Sequence, residues 1–381
     1  MICPPADDFV NLLNDPDGGL KSSLSALYGK RGKFFLCIGS TRTSDIAGIS
    51  AAGITAEARR LTPCTDAEAL IAGRALTADS IPISPAGVAS PVVITRACLG
   101  LIDLAVEVID CGAFTPPAVQ FRRVGSQVAS CLTSGQALKL DEVVALFEAG
   151  KSAGAEAAEL YDYIVLGECV PAGTTTAMGV LTALGWNVQG MLSSSLPLAE
   201  QDSRHALVRS GLSKAGISRD LIDEQPLHAV AAVGDPMQPF VAGMAYSACA
   251  RVPVILGGGS QMLAVYALFK ALIGSSCAGE RQMRYAPMVA TTKWVAFDPN
   301  ARTRQLSKNL SAPYAAACPD FNQSRHSGLR AYEQFNVKEG AGAGASMAVA
   351  HFAGGFSESQ IMSAIDRCYE ELVGHNGAIL F

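Results

Sequence analysis

Short apolar segments rich in β-branched residues alternate along the chain with longer segments rich in alanine and leucine. Each apolar segment ends in a glycine-rich turn, and the segment that follows has the composition and periodicity of a helix. A repeated strand, turn and helix is typical of a parallel β-sheet that is flanked by helices. The sequence therefore predicts an α/β fold.

The pattern predicts strands and helices at specific places. The predicted strands are residues 33–40, 104–111, 162–167, 227–233, 252–256 and 288–297. The predicted helices are residues 140–155, 175–184, 203–214, 237–250, 260–272, 340–354 and 358–373. Residues 1–30 and 355–381 are predicted to be mainly helical and to form a small helical domain built from the termini, beside a main domain of residues 31–354.

Composition supports a large buried core. The chain has 381 residues, of which 49% are hydrophobic and only 17% are charged, whereas about 25% charged residues is typical. A length of this order favours one large domain with a smaller satellite. A subunit interface would explain part of the shortage of charge.

Charge and cysteine usage exclude several classes of partner. The net charge is −5, and no run of lysine and arginine marks a nucleic-acid surface. The eleven cysteines are singletons without zinc-ligand spacing, which predicts neither a metal site nor a disulfide framework. No signal peptide and no apolar segment of about 18 residues is present. We expect a cytoplasmic protein with no membrane and no nucleic-acid partner.

Two glycine-rich turns carry the candidate chemistry. They span residues 167–176 and 338–346, and each contains one glutamate, Glu168 or Glu339. Each turn leads into a predicted helix, so its free backbone N–H groups favour an anion such as phosphate. A carboxylate beside such a site is better suited to act as a base or as an orienting group.

Each turn also has a simpler interpretation. The first turn lacks the Gly-Lys-Ser/Thr ending of an ATP-binding loop; Thr174, Thr175 and Thr176 could present hydroxyls to a phosphate, or one of them could simply cap the helix. The second turn imitates a dinucleotide fingerprint, but no strand with an acidic residue follows it, so NAD is not expected. Its small residues could serve close packing, although Glu339 favours a site.

Two further turns are candidates for nucleotide contact. The turn at residues 257–260 could be a bare connection or a loop that approaches a ligand closely. In the turn at residues 234–236, Asp235 could cap a helix or hold a ribose hydroxyl. The histidines share no spacing. The G-x-S-x-G match at residues 150–154 lies inside a predicted helix and not at a turn from strand to helix, so covalent serine chemistry is not expected.

The two glutamate-bearing turns resemble motifs of the nicotinate-nucleotide:dimethylbenzimidazole phosphoribosyltransferases. Residues 167–177 resemble the family's Gly-Glu-x-x-x-x-Asn-Thr-Thr-Ala motif, and residues 338–343 resemble its Gly-Glu-Gly-Thr-Gly-Ala motif. The turn at Gly234 and the strand at residues 251–256 follow in the family's order and spacing. The similarity therefore extends from residue 161 to residue 354.

The first half of the chain resembles one branch of that family. Residues 49–53 (Ile-Ser-Ala-Ala-Gly) and residues 84–91 (Ser-Pro-Ala-Gly-Val-Ala-Ser-Pro) look like a divergent branch that occurs in archaea and cyanobacteria. The resemblance implies a Rossmann-like parallel sheet, a homodimer and no metal or other cofactor. The implied reaction transfers phosphoribose from nicotinate mononucleotide to an aromatic base, which makes the protein a pentosyltransferase. The product is the α-ribazole phosphate used in cobalamin assembly.

The resemblance also implies roles for individual residues. It makes Glu339 the general base and Glu168 a supporting carboxylate near the incoming base. The turn that contains Thr174, Thr175 and Thr176 would hold the 5′-phosphate, and Arg204 is the best match for a phosphate-contacting lysine. The remaining phosphate- or nucleotide-binding candidates are Gly173, Gly234, Asp235, Gly257, Gly258, Gly259, Ser260, Gly340 and Gly342.

Several residues depart from the family pattern. Asn336 replaces an arginine, Lys338 a glycine, Gly173 an asparagine and Gly257 an aspartate. With these changes the acceptor base could be dimethylbenzimidazole, adenine or a phenolic ring. Two other functions stay open: another nucleotide-dependent glycosyl transfer or hydrolysis, and a non-catalytic protein that binds a nucleotide or a cobamide precursor.

Overall fold

An eight-stranded, mostly parallel sheet forms the centre of the molecule. The computed structural model describes residues 9–195, 201–275 and 283–373. The strands are β1 (Val10–Asn14), β2 (Gly32–Ile38), β3 (Ala105–Asp110), β4 (Arg122–Arg123), β5 (Tyr163–Cys169), β6 (Val254–Gly257), β7 (Met288–Thr292) and β8 (Tyr314–Ala317). Their order across the sheet is β1-β8-β7-β6-β5-β2-β3-β4. Only β1 is antiparallel to its neighbour among these strands.

Helices cover both faces of the sheet. In chain order they are α1 (Leu20–Ser25), α2 (Ala56–Ala72), α3 (Val92–Leu101), α4 (Leu140–Leu160), α5 (Gly173–Ala183), α6 (Gln201–Ala215), α7 (Arg219–Glu224), α8 (Leu227–Val233), α9 (Met237–Ala248), α10 (Ser260–Gly274), α11 (Lys293–Ala296), α12 (Thr303–Leu310), α13 (Ser327–Arg330), α14 (Ala343–Phe352) and α15 (Glu358–Val373). Among the described residues, no helix is both long and apolar enough to cross a membrane.

Alternation of side chains along the strands divides the core into two layers. In β5, Ile164 and Leu166 pack with α4, α5, α9 and α10, whereas Val165 and Cys169 pack on the other face with α2, α3, α14 and α15. Every residue of β5 is buried. Because both faces of a parallel sheet are covered, its strands are continuous apolar runs. This explains why the central strands were predictable from hydrophobicity.

The predicted α/β sheet flanked by helices is confirmed, and most of its central elements lie where the sequence placed them. The predicted strand at residues 227–233 is wrong, because this segment is helix α8. Residues 229–233 of this helix are all buried. A short run of buried residues has no polar positions that would show whether its hydrophobic period is that of a helix or that of a strand. Of the predicted strand at residues 288–297, only β7 is a strand, since α11 follows it directly.

One element in the first 30 residues is a strand, where the sequence predicted mainly helix. Val10–Asn14 is not helical but forms the edge strand β1, which pairs with β8; β8 itself was not predicted. Helix α15 has the predicted bounds and packs against α3. The division into a small terminal domain and a main domain stays a prediction, and residues 1–8 and 374–381 of that small domain lie outside the described residues.

Two close contacts fix the start of α14 on the sheet. A Cβ atom on Gly344 would lie 2.0 Å from the carbonyl carbon of Thr291, and a Cβ atom on Gly257 would lie 2.8 Å from the Cβ atom of Ala345. Neither position leaves room for a side chain, because interiors are close-packed and backbone atoms cannot yield. The glycines therefore let α14 lie directly on the ends of β6 and β7.

We expect Gly344→Ala to lower the free energy of unfolding by about 3 kcal/mol or more, because the added methyl group overlaps the Thr291 backbone. Gly100→Ala is the matched control: Gly100 also lies in a helix, but nothing lies within 4 Å of its Cβ position. That change should raise stability by about 0.5–1 kcal/mol. Denaturant unfolding measures both, and equal effects would contradict the contact.

Candidate active site

Two adjoining cavities lie beyond the carboxyl ends of the central strands. The larger cavity has a volume of about 140 Å³, and the smaller cavity has a volume of about 60 Å³. In open parallel sheets this edge is where ligands bind. The two cavities share six lining residues, which are Glu168, Thr174, Ser194, Ser195, Gln261 and Glu339.

The two glycine-rich turns meet at this edge. The backbone N–H of Ala341 in the second turn donates to the carbonyl oxygen of Glu168 in the first, at 3.0 Å. Gly167 and Gly342 face each other so closely that a Cβ atom on Gly342 would lie 3.1 Å from the Cα atom of Gly167. The second turn therefore makes the close packing that the sequence left open for it, and it also places Glu339 at the wall of both cavities.

Both turns contain an alanine in a left-handed conformation. Ala172 has a φ of 67° and Ala341 has a φ of 50°. A residue with a Cβ atom adopts this conformation at a cost of about 1–2 kcal/mol. The surrounding structure thus holds both backbones in a strained shape at the edge of the cavities.

Glu339 is held at the cavity wall by three donors. Its Oε1 atom accepts hydrogen bonds from the N–H groups of Gly340 and Gly344, each at 3.2 Å, and its Oε2 atom accepts from the Thr291 hydroxyl at 3.1 Å. Burial nevertheless raises the pKa of Glu339 to about 7, because these donors only partly replace water. The carboxylate is fixed in place and exchanges a proton near neutral pH.

Glu168 is almost completely buried beside it. Burial raises the pKa of Glu168 to about 8, and the charges of Glu339 and Asp235 add to the rise, against hydrogen bonds from the Val170 backbone and the Gln261 side chain. At neutral pH, Glu168 is therefore mainly protonated, whereas Glu339 is present in both its protonated and its ionised form. Two acids with different environments in one site are suited to different roles.

Gln261 occupies the space that a side chain at position 173 would need. A Cβ atom on Gly173 would lie 1.9 Å from the Oε1 atom of Gln261. The glutamine begins the first turn of α10 and borders both cavities. Glycine at position 173, where the resembling motif has asparagine, therefore accommodates an amide that reaches Glu168 from another helix.

Asp235 lies beneath the site. Its Oδ2 atom accepts a hydrogen bond from the Thr176 hydroxyl at 2.6 Å, and its Oδ1 atom accepts from the N–H groups of Met237 and Gln238. Burial raises the pKa of Asp235 to about 6. Asp235 thus caps α9 and links it to α5, which was one of the two roles that the sequence left open for it.

Lys338 forms a buried ion pair beside the smaller cavity. Its Nζ atom donates to Asp298 Oδ2 at 2.5 Å and to the carbonyl oxygen of Ser194 at 2.6 Å. The Ser193 hydroxyl donates to the same carboxylate oxygen at 2.6 Å. Burial lowers the pKa of Lys338, and the charge of Asp298 opposes this effect. The ion pair therefore connects the serine run at residues 193–195 to Lys338, the residue before Glu339.

Further polar groups surround the smaller cavity. Arg204 is buried and donates from Nη2 to the Ser194 hydroxyl at 2.7 Å. Gly259 and Ser260 place the N-terminus of α10 at the cavity wall, where free backbone N–H groups favour an anion. The surroundings of this cavity therefore combine the Arg204 guanidinium group, the Lys338–Asp298 ion pair, several hydroxyls and a helix N-terminus.

The predicted site residues fall into two groups. Those that line a cavity are Glu168, Gly173, Thr174, Gly259, Ser260, Glu339 and Gly340. Arg204 contacts the cavity residue Ser194, and Gly258 lies against the Glu168 side chain. The predicted residues that are buried and do not line either cavity are Thr175, Thr176, Gly234, Asp235, Gly257 and Gly342.

Sequence reasoning missed several residues of the site. Asp66, Gln261 and Asp298 carry no motif, because an acid or amide inside a helix or loop looks like any surface residue. The run of three serines at residues 193–195 is visible in the sequence and is the one local signal for this part of the site. Among the described residues, no group of three or more histidine, cysteine, aspartate or glutamate side chains could hold a metal ion.

Comparison with known proteins gives one family match and many related sequences. A family described as phosphoribosyltransferase matches residues 73–274. The UPF0284 protein of Gloeobacter violaceus is 43% identical over 353 residues, covering 92% of this chain and 91% of that protein. The UPF0284 protein of Synechocystis is 41% identical, covering 89% of this chain and 91% of that protein.

Solved structures share the fold at low sequence identity. A nicotinate-nucleotide-dimethylbenzimidazole phosphoribosyltransferase from Thermus thermophilus aligns with a TM-score of 0.59 and 16% identity, covering 93% of this chain and 89% of that one. A structure of CobT from the same organism aligns with a TM-score of 0.60 and 17% identity, covering 95% of both chains. At this identity the likeness establishes the fold.

The raised pKa of Glu168 makes the stability of the protein depend on pH. Between about pH 4.5 and pH 8 the folded protein keeps a proton that the unfolded chain has lost, so stability falls as the pH rises across this window. We expect Glu168→Gln to raise the free energy of unfolding at pH 8 by at least about 2 kcal/mol, and to change it much less at pH 5.

Denaturant unfolding at both pH values measures this effect. The exposed Glu148 on α4 provides the control, since Glu148→Gln should leave the pH dependence as it is in the wild-type protein. An unchanged pH dependence in Glu168→Gln as well would show that Glu168 does not carry a raised pKa.

Proposed function

Because the chain belongs to the phosphoribosyltransferase family, we propose that it transfers a phosphoribosyl group from nicotinate mononucleotide to an aromatic nitrogen base. The products are nicotinate and an α-ribazole 5′-phosphate of the kind used for the lower loop of a cobamide. The observation that carries the proposal is the pair of buried acids, Glu168 and Glu339, at the junction of the two cavities.

Glu339 is the general base of the proposed reaction. A ring nitrogen of the acceptor attacks the anomeric carbon of the ribose while the bond to nicotinate breaks, and the electron pair of that bond neutralises the pyridinium nitrogen of the leaving nicotinate. The attacking nitrogen loses its N–H proton to Glu339. Its pKa of about 7 suits this task, because a base works best when its pKa lies near the working pH.

Glu168 has the complementary role. Its higher pKa keeps it protonated when Glu339 is ionised, so it can donate a hydrogen bond to a substrate atom while Glu339 accepts a proton. Neither acid would benefit a site that only binds a phosphate, since an ionised Glu339 would repel the phosphate. This favours catalysis over a non-catalytic nucleotide- or cobamide-precursor-binding protein.

The smaller cavity supplies the features that a donor phosphate requires. Arg204 contributes positive charge, and the serine run at residues 193–195 contributes hydroxyl groups. The N-terminus of α10 adds backbone N–H groups. With the phosphate there, the acceptor base lies in the larger cavity and the anomeric carbon between them, beside Glu168 and Glu339. Positioning of this kind can supply much of the rate enhancement.

Thr174 borders both cavities, so its hydroxyl is placed to contact the donor from the first turn. A homodimer, which the family resemblance implies, belongs to the same proposal. Another glycosyl transfer or a hydrolysis on this scaffold would use the same acids with a different acceptor.

The proposal predicts nicotinate release that depends on an acceptor base. We expect the wild-type protein to release nicotinate from nicotinate mononucleotide only when an aromatic nitrogen base is added. Dimethylbenzimidazole and adenine are tested singly, p-cresol serves as a phenolic comparison, and mass spectrometry should detect the ribosylated base. Glu339→Gln should lower kcat by at least about 100-fold, in line with the loss of a general base. Binding of the mononucleotide, measured by calorimetry, should change little.

The surface glutamate Glu370 offers a matched control, and Glu370→Gln should keep wild-type activity. Wild-type activity in Glu339→Gln would remove Glu339 from the mechanism. Binding of the mononucleotide without turnover for any base would instead support the binding protein.

The two raised pKa values predict the shape of the pH profile. Activity should rise with pH as Glu339 ionises near pH 7 and fall as Glu168 ionises near pH 8, with both apparent values belonging to the coupled pair. Glu168→Gln cannot ionise, so it should keep the rising limb and lose the falling one. Measurement of kcat/KM from pH 5.5 to about pH 9.5 tests this, and a falling limb that persists in the variant would contradict the role of Glu168.

A further inference from the structure

One buried acid at the larger cavity is incompletely hydrogen-bonded. Asp66 on α2 lines that cavity and has an exposed fraction of only 3%. Its Oδ2 atom accepts a hydrogen bond from the Cys169 thiol at 3.3 Å. The Ser90 hydroxyl lies near the carboxylate and lowers its pKa, against the effect of burial, while the Oδ1 atom has no hydrogen-bond partner in the described part of the chain. A buried carboxylate oxygen without a donor is costly, so it indicates a function.

Other buried acids nearby have donors for both oxygens. Glu68, two residues further along α2, accepts hydrogen bonds from the N–H groups of Leu76, Thr77 and Ala118 and from the Thr77 hydroxyl. Asp235 and Glu339 each accept three. The fold therefore provides donors for both oxygens of these acids, and Asp66 differs because its Oδ1 atom has no donor among the described residues.

The rest of the cavity indicates what that group belongs to. Val88, Pro91 and Val337 contribute apolar surface to the lining, which suits a flat aromatic ring. Ser84 lines the same cavity, and its hydroxyl oxygen accepts from the Val88 N–H at 3.2 Å while no described residue accepts its proton. An aromatic ligand would thus meet two buried acceptors that lack a partner among the described residues, Asp66 Oδ1 and Gln261 Oε1, and hydroxyl donors such as that of Ser84.

We propose that Asp66 selects the acceptor base by accepting a hydrogen bond from an exocyclic amino group, so that the substrate is an amino-substituted nitrogen heterocycle such as an aminopurine. The inference rests on the proposed function, since it places the acceptor in the larger cavity. The Cys169 thiol holds Asp66 in position from the residue next to Glu168, which ties base selection to the strand that carries the catalytic acid.

A methylated base fits this arrangement poorly. The methyl groups of dimethylbenzimidazole have no proton to donate, so they would bury Asp66 Oδ1 without a partner and without water. Sites built around a hydrogen bond reject analogues that lack the matching group far more strongly than apolar pockets reject an extra methyl group. Discrimination between bases should therefore depend on the amino group and not on ring size.

Adenine and purine provide the direct test, because they share one ring system and differ by the amino group. With nicotinate mononucleotide as donor, we expect kcat/KM of the wild-type protein to be at least about tenfold higher for adenine than for purine. Asp66→Leu should bring the two bases within about twofold of each other, and the KM for nicotinate mononucleotide should not change.

Glu68→Gln is the matched control, as it alters a buried acid on the same helix that does not line either cavity. It should preserve the preference for adenine even where it lowers thermal stability. If Asp66→Leu fails to fold, Asp66→Ala answers the same question without adding bulk. Equal use of adenine and purine by the wild-type protein, or a preference that survives both substitutions, would overturn the inference.

Failure of the proposed function is distinguishable from failure of this inference. If no base elicits nicotinate release, the transferase proposal fails, and calorimetric binding of adenine and purine then tests Asp66 without turnover. Tighter binding of adenine that is lost in Asp66→Leu would still support the role of Asp66. Equal binding of the two bases by the wild-type protein would refute it.

Discussion

The contact between the two glycine-rich turns is the constraint on which the site depends. The hydrogen bond from Ala341 to the Glu168 carbonyl, and the approach of Gly342 to Gly167, bring together segments from the middle and the end of the chain. With a side chain at either glycine the turns could not approach so closely, and α14 could not lie on the strand ends. The positions of Glu168 and Glu339 are therefore set by backbone packing, which is more rigid than side-chain contact alone.

That packing concentrates acidic groups in a small volume. Glu168, Glu339, Asp235 and Asp66 all have pKa values raised chiefly by burial, which means that the folded protein is less stable than it would be with neutral residues at these positions. Lys338 does not neutralise them, because it is paired with Asp298. Destabilised, strained groups of this kind are characteristic of functional sites.

The sequence was informative where one local signal decided the structure. The strands β2, β5 and β6 are buried on both faces and read as apolar runs, and β3 is buried in its second half. The turns around Glu168 and Glu339 stood out because glycine and acid occur together. Residues 227–233 were mistaken for a strand because burial removes the polar positions that distinguish a period of 3.6 from a period of 2. Strands β1 and β8 were missed because their pairing is long-range and their composition is unremarkable for a loop.

The candidate site could be predicted only in part, for a similar reason. Glu168, Glu339 and Thr174 were identified from motifs, whereas Asp66, Gln261 and Lys338 act through contacts between segments that are far apart along the chain. Whether a polar side chain has a partner is a property of the folded state. The missing partner of Asp66 Oδ1 could not be inferred from its neighbours in the sequence.

The distribution of the site along the chain has a consequence for how the protein is made. Asp66, Glu168 and Gln261 are synthesised well before Glu339, and α14 is the last helix to pack on the ends of the central strands. A nascent chain folds from its N-terminus, so the earlier acids stay apart from Glu339 until the segment that contains Glu339 and α14 has been synthesised. Their mutual repulsion arises only when α14 docks, and a translation product that stops before Glu339 cannot contain an assembled site.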